Sequence, residues 1–185
     1  EGVTYYTNEN YDSTNMVVSL MAAKQEFDED VIVSYSDILF EEQMLQKMME
    51  AKGNYVVAVD DNWKAYWEKR YGRVDFDTES LSLDSENDID ARYVGLLKFS
   101  RKGLEYIKQS YDDACRNYKD KPWQQSGKTV QKAYMTDLLN AVIQSGEKIK
   151  AERFRNGWIE FDTNDDYEKA CDWAADGSIY EILKL

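Results

Sequence analysis

The sequence predicts an α/β protein built on a mixed, mostly parallel sheet, and three observations predict it. Val31-Ile32-Val33 and the run 55–59 are short and continuously apolar, the character of strands buried on both faces as parallel sheets require. Segments of helical period alternate with them, at 41–52, 101–118 and around 135–143. The length, 185 residues, is enough for one substantial domain burying on the order of two thirds of its unfolded surface.

Residues 1–12 read as a loop. The helix that follows keeps Met16, Leu20, Ala23 and Phe27 in helical spacing behind the candidate caps Ser13 and Thr14. A parallel strand at 31–33 needs a crossover helix next, and Met44, Leu45, Met48 and Met49 supply its stripe between Glu41 and Lys52, with Gly53 and Asn54 as the stop. After the strand 55–59, the pattern over 72–91 turns to alternation, with Leu81 and Leu83 facing one way and the polar cluster 84–88 as a hairpin turn. A strand over 93–99 leads into a helix over 101–118, which carries Leu104, Ile107, Tyr111, Ala114 and Tyr118 on one face and is broken by Lys121, Pro122 and Ser126. Met135, Leu138, Leu139, Val142 and Ile143 mark another helix, ended by Ser145 and Gly146. Strands over 148–155 and 158–161 and a helix over 165–175 close the chain. No internal repeat or linker divides it, so one domain over 1–185 is expected.

Composition excludes several functions. The 23 Lys and Arg stand against 36 Asp and Glu, and a net charge of −13 repels polyphosphates, so nucleic acid and anionic membrane surfaces are poor partners. The chain has no His, which removes the Ser-His-Asp triad, the Cys-His pair and His-bearing zinc sites. Cys115 and Cys171 lie outside any CxxC spacing, which fits a reducing compartment and two small buried apolar residues rather than a disulfide framework. With no bilayer-length apolar stretch and no signal-peptide pattern at Glu1, the expected location is cytoplasmic.

Two carboxylate groups could carry chemistry. Asp37, in Ser34-Tyr35-Ser36-Asp37-Ile38, follows the first strand at its carboxyl end, where α/β sheets place ligands. It reads equally as a ligand for a hard cation such as Mg²⁺ or as a cap for the helix beginning near Glu41. Glu160 and Asp162 share one strand face, opposite Ile159 and Phe161, and two adjacent acids need a metal, a Lys or plain solvation to coexist. Solvation is the ordinary explanation, and Asp165 and Asp166 read as favourable charge at a helix N-terminus. Ser126-Gly127-Lys128-Thr129 imitates the end of a P-loop, but Pro122 stands where the upstream Gly belongs. Asp75, Asp77, Glu79 and Glu86 imitate a calcium loop, but Ser80 stands where Gly is demanded. Trp63 and Trp67 lie one helical turn apart and read as packing, with a cationic head group as the alternative for Trp63.

Taken in order, Asn15 with Ser19-Leu20, SYSDILF, VAVDDNW, YVGLLKFS, AYMTDLL and WIEFDTNDDYEKA make the chain, over roughly 6–170, resemble the nucleotidyltransferases that include sugar-phosphate, phosphocholine and phosphonate cytidylyltransferases. The resemblance implies a Rossmann-like, nucleotide-diphospho-sugar transferase α/β/α sandwich. It implies Mg²⁺-dependent transfer of a nucleotidyl group, CMP from CTP, to a small phosphate or phosphonate acceptor such as phosphocholine, 2-aminoethylphosphonate or a sugar phosphate, with release of pyrophosphate. It assigns Asp37 and Asp162 to the cation. It also places Asn15, Ser36, Trp63, Tyr134, Asp137, Trp158 and Glu160 at the substrates, with Asp137 pairing an amine over Tyr134 or, in the plainer reading, capping a helix. The Gly-rich signature with its Arg and Lys-Pro that opens the family does not occur in this sequence. The domain is thus expected to be N-terminally incomplete and to associate with the missing part or with another copy. A non-catalytic binding module that kept the fold is the alternative. A glycosyltransferase of similar architecture comes third, without the D-x-D motif such enzymes carry.

Overall fold

The computed structural model describes residues 2–76, 80–81, 91–118, 120–123 and 127–184. In chain order the elements are α1 (Met16–Ala22), β1 (Val31–Ser34), β2 (Ile38–Phe40), α2 (Glu42–Glu50), β3 (Tyr55–Asp60), α3 (Trp63–Tyr71) and β4 (Ser80–Leu81). They continue with β5 (Ala91–Phe99), α4 (Arg101–Asn117), α5 (Met135–Gln144), β6 (Lys150–Phe154), β7 (Trp158–Glu160) and α6 (Asn164–Asp176). Leu83 and the expected turn at 84–88 lie outside the described residues, as does Ser126. The chain forms two compact units, Glu1–Val31 with Phe99–Ile149, and Ile32–Lys98 with Lys150–Leu185.

The second unit carries the mixed sheet, ordered β1-β5-β3-β6 with β4 on β5. β3 and β6 run parallel, Val56 opposite Lys150 through Asp60 opposite Phe154, and β4 runs antiparallel to β5. β3 is buried along its whole length, as its apolar run predicts, because it lies between β5 and β6. β1 is only half-buried: it ends the strand order, so burial on both faces, expected from its sequence, does not hold. The core of this unit joins Met44 and Met48 of α2, Val56 and Ala58 of β3, Trp63, Tyr66 and Trp67 of α3, and Trp158 and Ile159 of β7. Ile179, Ile182 and Leu183, in and after a 3₁₀ turn at Ser178–Glu181, complete it.

Gly95 shows how tightly β5 and the chain after β1 approach each other. Its φ is +84°, and a Cβ there would stand 2.9 Å from the Tyr35 ring. The Gly95 carbonyl accepts the Tyr35 N–H at 3.0 Å, so the glycine seats the turn that leads to Asp37.

The first unit holds α1, α4 and α5. α1 starts at Asn15, whose side chain accepts the Met16 N–H at 2.8 Å, and not at Ser13 or Thr14, whose hydroxyls turn back to the Asn10 carbonyl. It stops at Ala22 and a 3₁₀ turn at Lys24–Glu26 follows, so Phe27 is buried beyond the helix rather than within it. The α4 cap is Ser100, whose hydroxyl accepts the Gly103 N–H at 3.1 Å. Both cysteines are free; Cys115 is half-buried and Cys171, on α6 of the other unit, is exposed, so the expectation of two buried apolar residues fails for Cys171.

Candidate functional site

The site grows from a two-stranded ribbon. β2 and β7 pair antiparallel, with Ile38 opposite Glu160, Leu39 opposite Ile159 and Phe40 opposite Trp158. Beyond the Ile38–Glu160 pair, the Phe161 N–H donates to the Asp37 carbonyl at 2.8 Å. That bond ties the segments of Asp37 and Asp162 together although they are far apart in sequence, because pairing 38 with 160 sets 37 beside 161. β2 separates Asp37 from α2, whose N-cap is Glu41, so Asp37 does not cap that helix. Asp37 itself is half-buried, and Ser36 beside it is exposed.

The cation required by the neighbouring acids is supplied from α3. Trp63, Tyr66 and Trp67 form the buried stripe of that helix, and Arg70 takes its next position with a side chain 1% exposed. Its Nε and Nη2 fork onto Asp166 at 2.6 and 2.8 Å, Nη2 also reaches Asp162 Oδ2 at 2.8 Å, and Nη1 donates to Glu160. Tyr66 fixes the same strand by its backbone, its hydroxyl oxygen accepting the Glu160 N–H at 2.9 Å. Burial pushes the Glu160 carboxyl up to about 7, against the pull of Arg70 and Arg92. Burial acts the same way on Asp166, but hydrogen bonds from Arg70 and Thr163 and the Arg70 charge outweigh it and hold that carboxyl at about 2. Burial disfavours the Arg70 cation, and its acidic partners more than restore it, so its pKa rises. Asp166 also lies in the first turn of α6, where its charge was expected, and there it accepts the Thr163 N–H at 2.9 Å as part of a capping box.

A second buried acid shapes the turn into β7. Asp60, at the carboxyl end of β3, has no exposed surface. Its Oδ1 accepts the N–H groups of Asn62 and Asn156 at 2.7 and 3.1 Å, and its Oδ2 accepts the Trp158 indole N–H at 3.0 Å. Asn156 stands at φ 61°, a left-handed conformation that Asn tolerates in tight turns. Burial raises the Asp60 pKa, with these three donors opposing it.

The remaining sequence candidates are placed as follows. Trp158 has no exposed surface, and Trp63 is 3% exposed, so both are core residues of the second unit. In the first unit Asn15 is committed as the α1 cap. There Asp137 accepts the Tyr134 N–H at 2.8 Å, the capped helix start that the plainer reading anticipated. The Lys128 ammonium lies 3.4 Å from Asp137 Oδ2 and 4.5 Å from the Tyr134 ring centroid, so an amine from the chain itself occupies the pairing imagined for an acceptor. A cleft of about 540 Å³ opens at the other end of the ribbon, by Glu41, Lys47, Arg155, Gly157 and Lys184, away from Asp37 and Asp162. Sequence reasoning missed Arg70 and Asp60. An arginine continuing the stripe 63, 66, 67 was the available signal for Arg70, since a charge at a core position must be paired.

No family model matches the chain. It is 30% identical over 182 residues to the CTP:phosphoglutamine cytidylyltransferase of Campylobacter jejuni subsp. jejuni serotype O:2, covering 89% of this chain and 70% of that protein. The chain belongs to the cytidylyltransferase-like nucleotidyltransferases. The fold agrees with this membership. The inositol-1-phosphate CTP transferase from T. maritima superposes with a TM-score of 0.56 at 14% identity, over 89% of this chain and 64% of that one. The 4-diphosphocytidyl-2C-methyl-D-erythritol synthase from Anaerococcus prevotii gives 0.54 at 16%, over 88% and 68%. This nucleotidyltransferase-like chain thus spans about two thirds of the length of the proteins it matches. Among the described residues no helix is long and apolar enough to cross a membrane.

Proposed function

We propose that the chain is the cation- and acceptor-binding portion of one nucleotidyltransferase domain that transfers CMP from CTP to a small phosphorylated acceptor. The observation that carries this reading is the ribbon pairing that joins the Asp37 and Asp162 segments, in a chain 30% identical to a CTP-using relative. In the reaction an acceptor phosphate or phosphonate oxygen attacks the α-phosphorus of CTP. The new P–O bond forms as the α–β phosphoanhydride bond breaks, and pyrophosphate leaves with the electron pair. The attacking oxygen is already ionised, so no strong base is needed, which suits a chain without His.

Two carboxylates on adjoining segments support the divalent-cation reading; among the described residues no group of three or more acidic or thiol side chains is placed to hold a metal ion together. Asp162 gives one oxygen to Arg70 and is 41% exposed, and Asp37 stands in the adjoining turn. One or two carboxylates completed by phosphate oxygens is the usual arrangement for Mg²⁺, which would neutralise charge developing on the phosphates. Asp37 and Asp162 would hold that ion; Arg70 and Tyr66 keep β7 in place beneath them. Ser36, exposed next to Asp37, would face the substrates.

The test is pyrophosphate release by the longest form of the protein with CTP and a panel of phosphoglutamine, phosphocholine, 2-aminoethylphosphonate and sugar phosphates. Asp37→Ala and Asp162→Ala are each expected to lower turnover by about 10²-fold or more, the scale of losing a group that stabilises transition-state charge. Undiminished turnover in both variants refutes the assignment. Acceptor binding by calorimetry with no dependence on Mg²⁺ or CTP, and no turnover, would instead mark a non-catalytic module.

A further inference from the structure

Asp162 presents two faces. One oxygen turns inward to Arg70 at 2.8 Å, while the side chain as a whole is 41% exposed. Arg70 is locked by comparison. Its guanidinium carbon lies 6.0, 5.5 and 4.6 Å from the ring centroids of Tyr66, Trp67 and Tyr71. The space bounded by Tyr66, Arg70, Glu160 and Asp166 has no room for a water molecule, so its bonds to the acids are direct. Stability alone does not explain why the fork reaches Asp162. The buried partners Glu160 and Asp166 already use it, and an ion pair to a carboxylate this exposed adds little to folding.

Resting on the reading of Asp162 as a cation ligand, we propose that Arg70 is a positioning residue for that ligand. It fixes one oxygen of Asp162 so that the other faces outward in a constant pose. By sharing its charge with that carboxylate it also keeps the free protein a weak binder of divalent cations. Geometry and charge then pull in opposite directions: the guanidinium lowers the affinity of the empty protein for the ion and raises the fraction of correctly posed ligand. A lysine ammonium would keep the charge but not the rigid, planar fork that fixes a carboxylate's orientation.

The test measures Mn²⁺ binding to the chain by electron paramagnetic resonance for wild type, Arg70→Gln, Arg70→Lys and Asp162→Asn, with circular dichroism as the check on folding. Arg70→Gln is expected to bind Mn²⁺ about tenfold more tightly than wild type, because a cation next to the ligand has been removed. Arg70→Lys keeps the charge and is expected to bind Mn²⁺ close to wild type, while kcat for transfer falls with KM for CTP unchanged. If Arg70→Gln is unstable, Mn²⁺ should raise its melting temperature more than that of wild type. A purely structural arginine predicts the reverse, with weaker binding in every Arg70 variant, and that result overturns the proposal. Unchanged Mn²⁺ binding in Asp162→Asn sinks the ligand reading itself; a loss there without tightening in Arg70→Gln sinks only the role of Arg70.

Discussion

Replacing Asp60 by Asn tests whether the turn before β7 is held by a buried carboxylate. The two side chains have the same shape, so the cavity term is absent. Oδ1 keeps its two backbone donors, Asn62 and Asn156, but the new amide group meets the Trp158 indole N–H across 3.0 Å, donor against donor. Leaving such a buried donor unmet costs roughly 1–3 kcal/mol. The two retained bonds also lose their charge assistance. Neutralising Asp60 relieves the cost of burying a charge, visible as its raised pKa, and this acts in the opposite direction. The net expectation is a loss of about 2 kcal/mol, because the opposed donor is buried with the rest of the side chain. Urea unfolding at pH 7, followed by tryptophan fluorescence, measures it as a lower midpoint with an unchanged slope. Trp158→Phe in the Asp60→Asn background removes the opposed donor, so the double variant should lose less than the sum of the singles. Stability of Asp60→Asn within about 0.5 kcal/mol of wild type, or above it, would refute the argument that these three donors define the turn.

Two further outcomes follow from the same physics. Gly95→Ala should cost about 2 kcal/mol of stability and weaken Mn²⁺ binding, because the new methyl needs a left-handed backbone and meets the Tyr35 ring two residues before Asp37; denaturation and Mn²⁺ titration check both. Stability should also depend on pH in two opposed steps, read by urea midpoints between pH 2 and 8. The Asp166 carboxyl drops from 3.8 to about 2 on folding, so its contribution of about 2 kcal/mol is complete above about pH 5 and lost as pH falls toward 2. The Glu160 carboxyl rises from 4.5 to about 7, so its ionisation weakens the fold as pH climbs between those values. Asp166→Asn should flatten the acid limb, and Glu160→Gln the neutral one.

Elements with a clear period were legible in the sequence. β3 announced itself by an unbroken apolar run, and α5 by apolar positions at 135, 138, 139 and 142, which are buried, whereas Ile143, expected on the same stripe, is exposed. β2 was not legible, since three residues between a turn and a helix carry too little pattern to register as a strand, and its partner β7 lies more than a hundred positions away. Without that ribbon, the closeness of the Asp37 and Asp162 segments rested on resemblance alone. The pairing of Glu160 and Asp162 was legible as a question: two acids on one face called for a cation. The answer was non-local, supplied by Arg70 from a helix about ninety positions earlier. Trp158 illustrates the opposite case, a residue inside a family-like motif whose indole is spent on Asp60.

The order of pairing constrains how a nascent chain can mature. β3 meets its parallel partner β6 only after the whole segment Phe99–Ile149 has been synthesised, and the aromatic core is closed by Ile179, Ile182 and Leu183. Until Trp158, Ile159 and that segment join them, Trp63, Tyr66 and Trp67 have only the earlier part of their packing, Met44, Met48, Val56 and Val94, to shield them from water. Long-range pairing of this kind is slow, so chaperone capture should concentrate on this late interval, and slowing translation upstream of it should gain the chain little.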